Sequence, residues 1–274
     1  MPTASHSPDQ AAASLEKALT LFGRIAQDRG STPLKELVAD LELPRSTLYR
    51  LVATLQDFGF ITRGSRGFYD IGLPLVEILN GIQPARHLAR LSRPALQELA
   101  DLCGATAHLG VLENDMVTYL VKVTGKGAAA DGVFTRENAQ LEAYCSGIGK
   151  VLLAALPEMA CEQYLAAGPF VALTSRTITD SNKLKECLQR VREEGFAQDD
   201  GEVADDLFCL AVPLQRADGA VLAAISVSFQ RAERQTREFG QDLENLRVYA
   251  AEISKKLGNS TLTTGTSIAQ PETF

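Results

Sequence analysis

Behind Pro44, the apolar residues Leu48, Leu51, Val52 and Leu55 recur at i, i+3, i+4 and i+7. That spacing puts one buried stripe on a helix, and the segments on either side restrict the fold further. Upstream, Leu15, Ala18, Leu19, Phe22 and Ile25 fall at helical spacing behind Ser14 as N-cap, and Gly30 ends that helix. Thr32 and Pro33 read as N-cap and first helical residue of a second helix carrying Leu34, Leu37, Val38 and Leu41. Downstream, Asp57-Phe58-Gly59 closes the helix that Pro44 opens, and Phe60-Ile61-Thr62 reads as a strand. Arg63 to Gly67 is a Gly-rich turn, and Phe68 to Ile71 returns as a second strand. Three helices and a two-stranded hairpin over residues 14–74 make a winged helix-turn-helix.

The solvent face of the third helix carries Arg45, Ser46, Thr47, Tyr49, Arg50 and Thr54. A recognition helix enters the major groove with its N-terminal residues nearest the base edges, so Arg45, Ser46 and Thr47 are expected to meet bases. Arg50 is expected to grip phosphate, and Arg63 and Arg66 in the wing to take a phosphate or minor-groove role. The chain as a whole has a net charge of −7, which points away from nucleic acid. From Arg45 to Arg66, however, four arginines face Asp57 alone, a local charge of +3. The bland alternative is a solvated helix face and a surface hairpin.

At about 100–200 residues per domain, 274 residues suggest a second domain. Residues 75–91 form a weaker helical stretch, broken near Pro84, expected as a linker helix; Arg93 to Cys103 reads as a further amphipathic helix. Beyond it, strands are expected at Ala105–Leu112, Val117–Val123, Leu207–Leu214 and Ala220–Phe229, and helices at Gly149–Ala155, Asp180–Glu194 and Thr236–Leu257. The last two strands flank a hairpin turn at Arg216 to Gly219. Residues 92–257 therefore read as an α+β sensor-type domain with a mostly antiparallel sheet. Residues 1–13 and 258–274 are polar and expected as disordered tails.

No apolar run approaches the roughly 18 residues of a membrane span, and Met1 to Gln10 lacks a secretory h-region, so a cytoplasmic protein is expected. Cys103, Cys145, Cys161, Cys187 and Cys209 include no CxxC pair, and His6, His87 and His108 have no metal-ligand spacing, so neither metal nor cofactor is expected.

The stretch Leu34-Lys35-Glu36-Leu37 … Leu43-Pro44-Arg45-Ser46-Thr47-Leu48-Tyr49-Arg50-Leu51 … Gly59-Phe60 … Tyr69-Asp70-Ile71-Gly72 resembles the signature of the IclR family of bacterial transcription regulators. The resemblance runs on to about residue 255, as far as a GAF-like effector domain reaches in that family. It includes Gly104 to Leu109, Ser146-Gly147-Ile148-Gly149-Lys150, Leu173-Thr174 … Thr177, Glu202, Cys209 to Pro213 and Ala223 to Ser228.

This resemblance implies operator DNA and a small organic effector as partners, and a homodimer or dimer of dimers, with repression the commoner outcome. It implies an effector pocket with Ser146, Gly147 and Ile148 in the Gly-rich turn, Asp199 before the late strand, Cys209 opening that strand, and Ile225, Ser226 and Ser228 in the last strand. Met116, Tyr119 and Leu141 are possible apolar walls, and Tyr144 stands at the entrance. The effector expected by analogy is an aromatic or other small carboxylate. The Gly-rich turn is not a nucleotide phosphate loop, because Tyr144 stands where the first Gly belongs and Val151 follows Lys150. A pair of glycines needed only for close packing is its bland alternative. Two departures bear on the pocket. Leu141-Glu142-Ala143-Tyr144 replaces the family's Leu-Pro-x-His run, and Asp206 stands where many members have Gly.

Two other classes compete. An enzyme would use Cys145 or Cys209 as nucleophile with His108 as base. A protein-interaction module would turn the winged helix toward a partner protein, with little salt dependence.

Overall fold

The computed structural model describes residues 8–41, 43–80, 83–128, 135–216 and 218–257. They fall into two units, residues 8–83 and 84–257, each considered by itself. Among the described residues no helix is long and apolar enough to cross a membrane.

The first unit holds α1 (Pro8–Asp28), α2 (Leu34–Leu37), α3 (Arg45–Asp57), β1 (Ile61–Arg63), β2 (Tyr69–Ile71) and α4 (Leu73–Asn80). Its core gathers Leu21 and Ile25 of α1, Leu34 and Val38, Leu51, Val52 and Leu55 of α3, and Ile61 and Tyr69 of the hairpin. Each such side chain, fully buried, contributes roughly 1.5–3 kcal/mol. Arg24 of α1 clamps Asp40 through both guanidinium nitrogens, Nη2 to Oδ2 at 2.7 Å, which ties α1 to the turn before α3. β1 and β2 pair antiparallel, Arg63 opposite Tyr69.

Several local expectations change. α1 starts at Pro8, so residues 8–13 are helical rather than a tail, and Ser14 lies inside the helix instead of capping it. Pro33 and Pro44 have extended backbone (ψ 140° and 138°) and precede their helices rather than forming the first turn. α2 is a single turn, because residues 38–40 continue as turn rather than helix. The expected tail at 258–274 and residues 1–7 lie outside the described residues.

The second unit opens with α5 (Pro84–Cys103), followed by β3 (Thr106–Glu113), β4 (Met116–Thr124), β5 (Gln140–Glu142), α6 (Gly147–Ala154), α7 (Glu158–Ala166), α8 (Ser181–Glu194), β6 (Ala197–Asp200), β7 (Leu207–Gln215), β8 (Val221–Gln230) and α9 (Phe239–Lys256). The expected linker helix over 75–91 is thus two helices, and its second half merges with the helix read at 93–103. α5 runs through Pro94, because Leu88, Ser92, Ala95, Leu96, Leu99 and Cys103 continue one buried stripe across it and their packing outweighs the roughly 3 kcal/mol that an interior Pro costs.

The sheet has the order β5-β4-β3-β8-β7-β6, with antiparallel pairing throughout. Alternate residues of the central strands face opposite sides. Ala107, Leu109, Leu210, Val212, Ile225 and Val227 join Leu96 and Leu99 of α5 and Leu246 of α9 in one core. Val117, Tyr119, Cys209, Ala211 and Ala224 face the other way, toward Ile148 and Leu152 of α6 and Leu184 of α8. β5, α7 and β6 have no counterpart in the sequence reading; two of them are edge strands of three and four residues, too short for a periodicity signal.

Candidate functional site

Two surfaces carry chemistry, one in each unit. On α3, Ser46, Tyr49, Arg50 and Ala53 are exposed at i, i+3, i+4 and i+7, opposite the buried stripe. Arg45 and Thr54 are also exposed, while Thr47 is half-buried. No side chain caps the start of α3, so the N–H groups of its first turn face outward beside Arg45 and Ser46. Tyr49 holds an aromatic ring in solvent at 65% exposure, an unusual place for one unless it meets a partner. The Thr54 hydroxyl donates to its own helix at Arg50 O (3.0 Å), which leaves it an acceptor toward anything outside. Arg63 ends β1, and Arg66 sits in the hairpin turn with left-handed backbone (φ 56°). Both are exposed. Among the described residues Arg45, Arg50, Arg63 and Arg66 form no ion pair, unlike Arg24 with Asp40. Four cations without counter-ions on one helix and its hairpin suit a polyanion.

In the second unit, a cavity opens on the α6 side of the sheet. It is small and partly open to solvent, and it lies among side chains of six strands and α6. Tyr119, Leu141, Ser146, Gly147, Ile148, Asp199, Cys209, Ser226 and Ser228, all expected in the pocket, line it. The cross-strand register explains the convergence: Asp199 stands opposite Cys209, Cys209 opposite Ser228, and Ser226 opposite His108.

Three expected residues lie elsewhere. Ile225 alternates with Ser226 and therefore faces the opposite core. Met116 pairs with Glu142 near the sheet edge, and the cavity does not reach it. Tyr144 sits behind the wall: its hydroxyl donates to Val171 O at 2.7 Å, and its ring packs on Phe170 at 4.8 Å. It braces the segment beside the cavity instead of touching it. Asp206, the other departure, is exposed and outside the lining. Four lining residues were missed: His108, Thr135, Val203 and Leu207. The polar alternation Thr106-x-His108 on β3, matching Ser226-x-Ser228 on β8, was the signal available for His108.

The Gly-rich turn divides its labour. A Cβ on Gly149 would stand 2.1 Å from Ala143 O, so this glycine serves close packing. Gly147 instead borders the cavity beside Ala211, Cys209 and the backbone of Asp199. Ser146 caps α6, its Oγ accepting from Gly149 N at 3.1 Å. Lys150 is 1% exposed. Its Nζ binds the Glu202 carboxylate and donates to Gln198 O at 3.1 Å. Two threonines of the Leu173-Thr174 … Thr177 motif hold the turn that carries Glu202: Thr174 Oγ1 donates to Gly201 O (2.6 Å) and Thr177 Oγ1 to Glu202 O (2.7 Å).

Burial governs the protonation states. Asp199 Oδ1 accepts from Glu202 N at 2.6 Å, yet desolvation still pushes its carboxyl up to about 7. Burial drives His108 down to about 3, so its ring is neutral, bonded through Nε2 to Thr135 Oγ1 at 2.8 Å. The thiols of Cys145, pushed up to about 12, and of Cys209, pushed well up and 3.0 Å from Ser228 Oγ, stay protonated through desolvation. Protonated thiols are poor nucleophiles, and a histidine that resists protonation is a poor base. These protonation states do not suit the cavity's lining to nucleophilic or general-base chemistry.

Comparison with known proteins agrees. The model for the IclR helix-turn-helix domain matches residues 14–65, and that for the bacterial transcriptional regulator IclR C-terminal domain matches residues 83–255. The chain is 29% identical over 246 residues to the HTH-type transcriptional regulator XynR of Escherichia coli (strain K12), covering 89% of this chain and 97% of that one. It is 31% identical over 216 residues to the transcriptional repressor IclR of the same strain, covering 78% and 79%. The crystal structure of the Thermotoga maritima IclR is similar with a TM-score of 0.56 and 26% identity, over 90% of this chain and 99% of that one.

Proposed function

The chain belongs to the IclR family, as a DNA-binding transcription regulator with an effector-binding C-terminal domain and not an enzyme, and on that premise we propose a cytoplasmic repressor whose operator binding is set by a small organic acid, aromatic or aliphatic. The observation that carries this reading is the pairing of an unneutralised cationic helix face with a polar-lined cavity of protonated thiols and neutral histidine. Repression is supported by the relative that bears it in its name. Two copies would read two half-sites of a near-palindrome. Self-association, as a homodimer or dimer of dimers, is supported by exposed apolar residues of the first unit, Leu15 and Leu19 on α1 and Leu73 and Ile78 on α4. Effector binding would favour one spacing of the recognition helices, by no more than its difference in affinity for the two states.

The DNA assignment is tested with operator fragments selected from random duplexes by the parent protein. Arg45→Ala is expected to relax specificity at one base position and cost about 1–3 kcal/mol there. Arg66→Ala is expected to weaken binding to all sequences and to lower the salt slope by about one unit. Gel shifts over a salt series separate the two; parent-like binding by both variants would remove α3 and the wing from the interface. Binding that ignores salt would favour a protein partner instead. For the cavity, Cys209→Arg places a long cation where a buried thiol stood and is expected to abolish the effect of effector on the operator complex. A variant that still responds takes Cys209 out of the pocket.

A further inference from the structure

The sequence reading gives Tyr119 the part of an apolar wall. Its surroundings give it another. Tyr119 lines the cavity and is 6% exposed, and among the described residues its hydroxyl has no hydrogen-bond partner. Several other polar groups of the wall are already engaged, His108 with Thr135, Cys209 with Ser228, and Asp199 with the backbone at Glu202, and among the described residues Ser226 is the other lining hydroxyl without a partner.

The phenol cannot easily turn away to find a partner. Its backbone N–H donates to Ala139 O at 3.1 Å, and its carbonyl accepts from Asn138 N at 2.7 Å. Across the sheet it faces Gly110, at the register shift between Leu109 and Gly110. A Cβ on Gly110 would meet Ile148 Cγ2 and Val117 Cγ1 at 2.9 Å, so that side of the cavity is closed by tight packing. The ring lies 5.2 Å from that of His108. Burial keeps the phenol neutral. Cys145 and Asp199 flank the start of α6, where Gly147 and Ile148 line the same cavity.

We propose that the Tyr119 hydroxyl is a ligand-directed hydrogen-bond donor of the cavity, given to an acceptor oxygen of a small organic acid seated against the N-terminal turn of α6. The inference rests on the proposal that the effector occupies this cavity. Its physical basis is that the hydroxyl faces the cavity with no protein acceptor, so a bound acceptor oxygen makes a bond there that no protein group offers. The same hydroxyl makes the site selective. A carboxylate or carbonyl oxygen there completes the bond, whereas an apolar group or a donor-only group such as an ammonium leaves it unmade.

The test uses the full-length protein, its Tyr119→Phe and Cys209→Arg variants, and three probes, pyruvate, benzoate and 4-hydroxybenzoate, followed by calorimetric titration. At least one probe is expected to bind the parent and to be lost in Cys209→Arg. Tyr119→Phe is expected to weaken that probe roughly tenfold. Without ligand, Tyr119→Phe is expected to melt close to or above the parent temperature, since it removes a polar atom that bonds no protein group. Two results overturn the inference: parent-like affinity of Tyr119→Phe for a probe that Cys209→Arg loses, or a lower melting temperature of ligand-free Tyr119→Phe, which would mean the hydroxyl is bonded within the protein. If no probe binds the parent, or Cys209→Arg binds like the parent, the placement of the effector in this cavity falls first, and the role of Tyr119 with it.

Discussion

Lys150→Met is expected to destabilise the protein by about 3–5 kcal/mol at neutral pH, the cost of stranding one partner of a buried ion pair. Lys150 and Glu202 are 1% and 9% exposed at their side chains. Lys150 Nζ is shared between that carboxylate and Gln198 O. Glu202 Oε2 has no partner among the described residues, and burial already raises the Glu202 carboxyl above its ordinary range. With the ammonium gone, Glu202 must either remain charged in a dry interior or take up a proton. The deficit is therefore largest above the raised pKa of Glu202 and shrinks as pH falls and the carboxyl is neutralised. The double variant Lys150→Met/Glu202→Leu is expected to recover most of the loss, because apolar replacement of both partners is often close to neutral. Denaturant melts of the parent, single and double variants over a pH series measure all three. A single variant within about 1 kcal/mol of the parent would mean the pair is solvated in solution.

Asp199→Asn is expected to stabilise the ligand-free protein at neutral and alkaline pH, and to do so by an amount that grows with pH. The folded carboxyl titrates near 7 against an ordinary 3.8, chiefly because it is desolvated. A carboxyl whose pKa is raised by folding favours the folded state fully only while it is protonated in both states. Its contribution is lost as pH rises from about 3.8 to about 7 and stays lost above that window. Asparagine has no charge to desolvate, and its Oδ1 can still accept from Glu202 N. The gain over the parent should thus be near zero at pH 4 and reach its plateau above pH 7, with an upper bound of about 4 kcal/mol from the size of the shift. Lys150 and Glu202 act on Asp199 with opposite signs, so the two predictions couple and the double variants should not be additive. A gain that does not change with pH would show that Asp199 is ionised at no cost, in contact with water.

Legibility differed between the two sites. On α3 the sequence placed the exposed and buried faces, because a single helix and its hairpin satisfy themselves within a short stretch of chain. Ser46, Tyr49 and Arg50 lie where the periodicity puts them. In the cavity, nine of the twelve expected residues line the wall, but their grouping came from resemblance to a family and not from spacing. Lys150 shows the limit well. Its place in a Gly-rich turn made it a phosphate-loop candidate to exclude, and nothing local announces a partner 52 residues away.

By itself, then, the sequence determined the winged helix-turn-helix, the four long strands of the second unit and the residues of the cationic face. Each depends on neighbours within one or two turns or along one strand. Tertiary structure decided which face of each strand meets the cavity. Both faces of this sheet are covered, by α5 and α9 on one side and by α6 and α8 on the other, so apolar residues occur on both and alternation loses the contrast that would tell them apart. Only the register of β3, β4, β7 and β8 turns Ile225 away from Ser226 and brings a neutral His108 and the Tyr119 phenol to the same space.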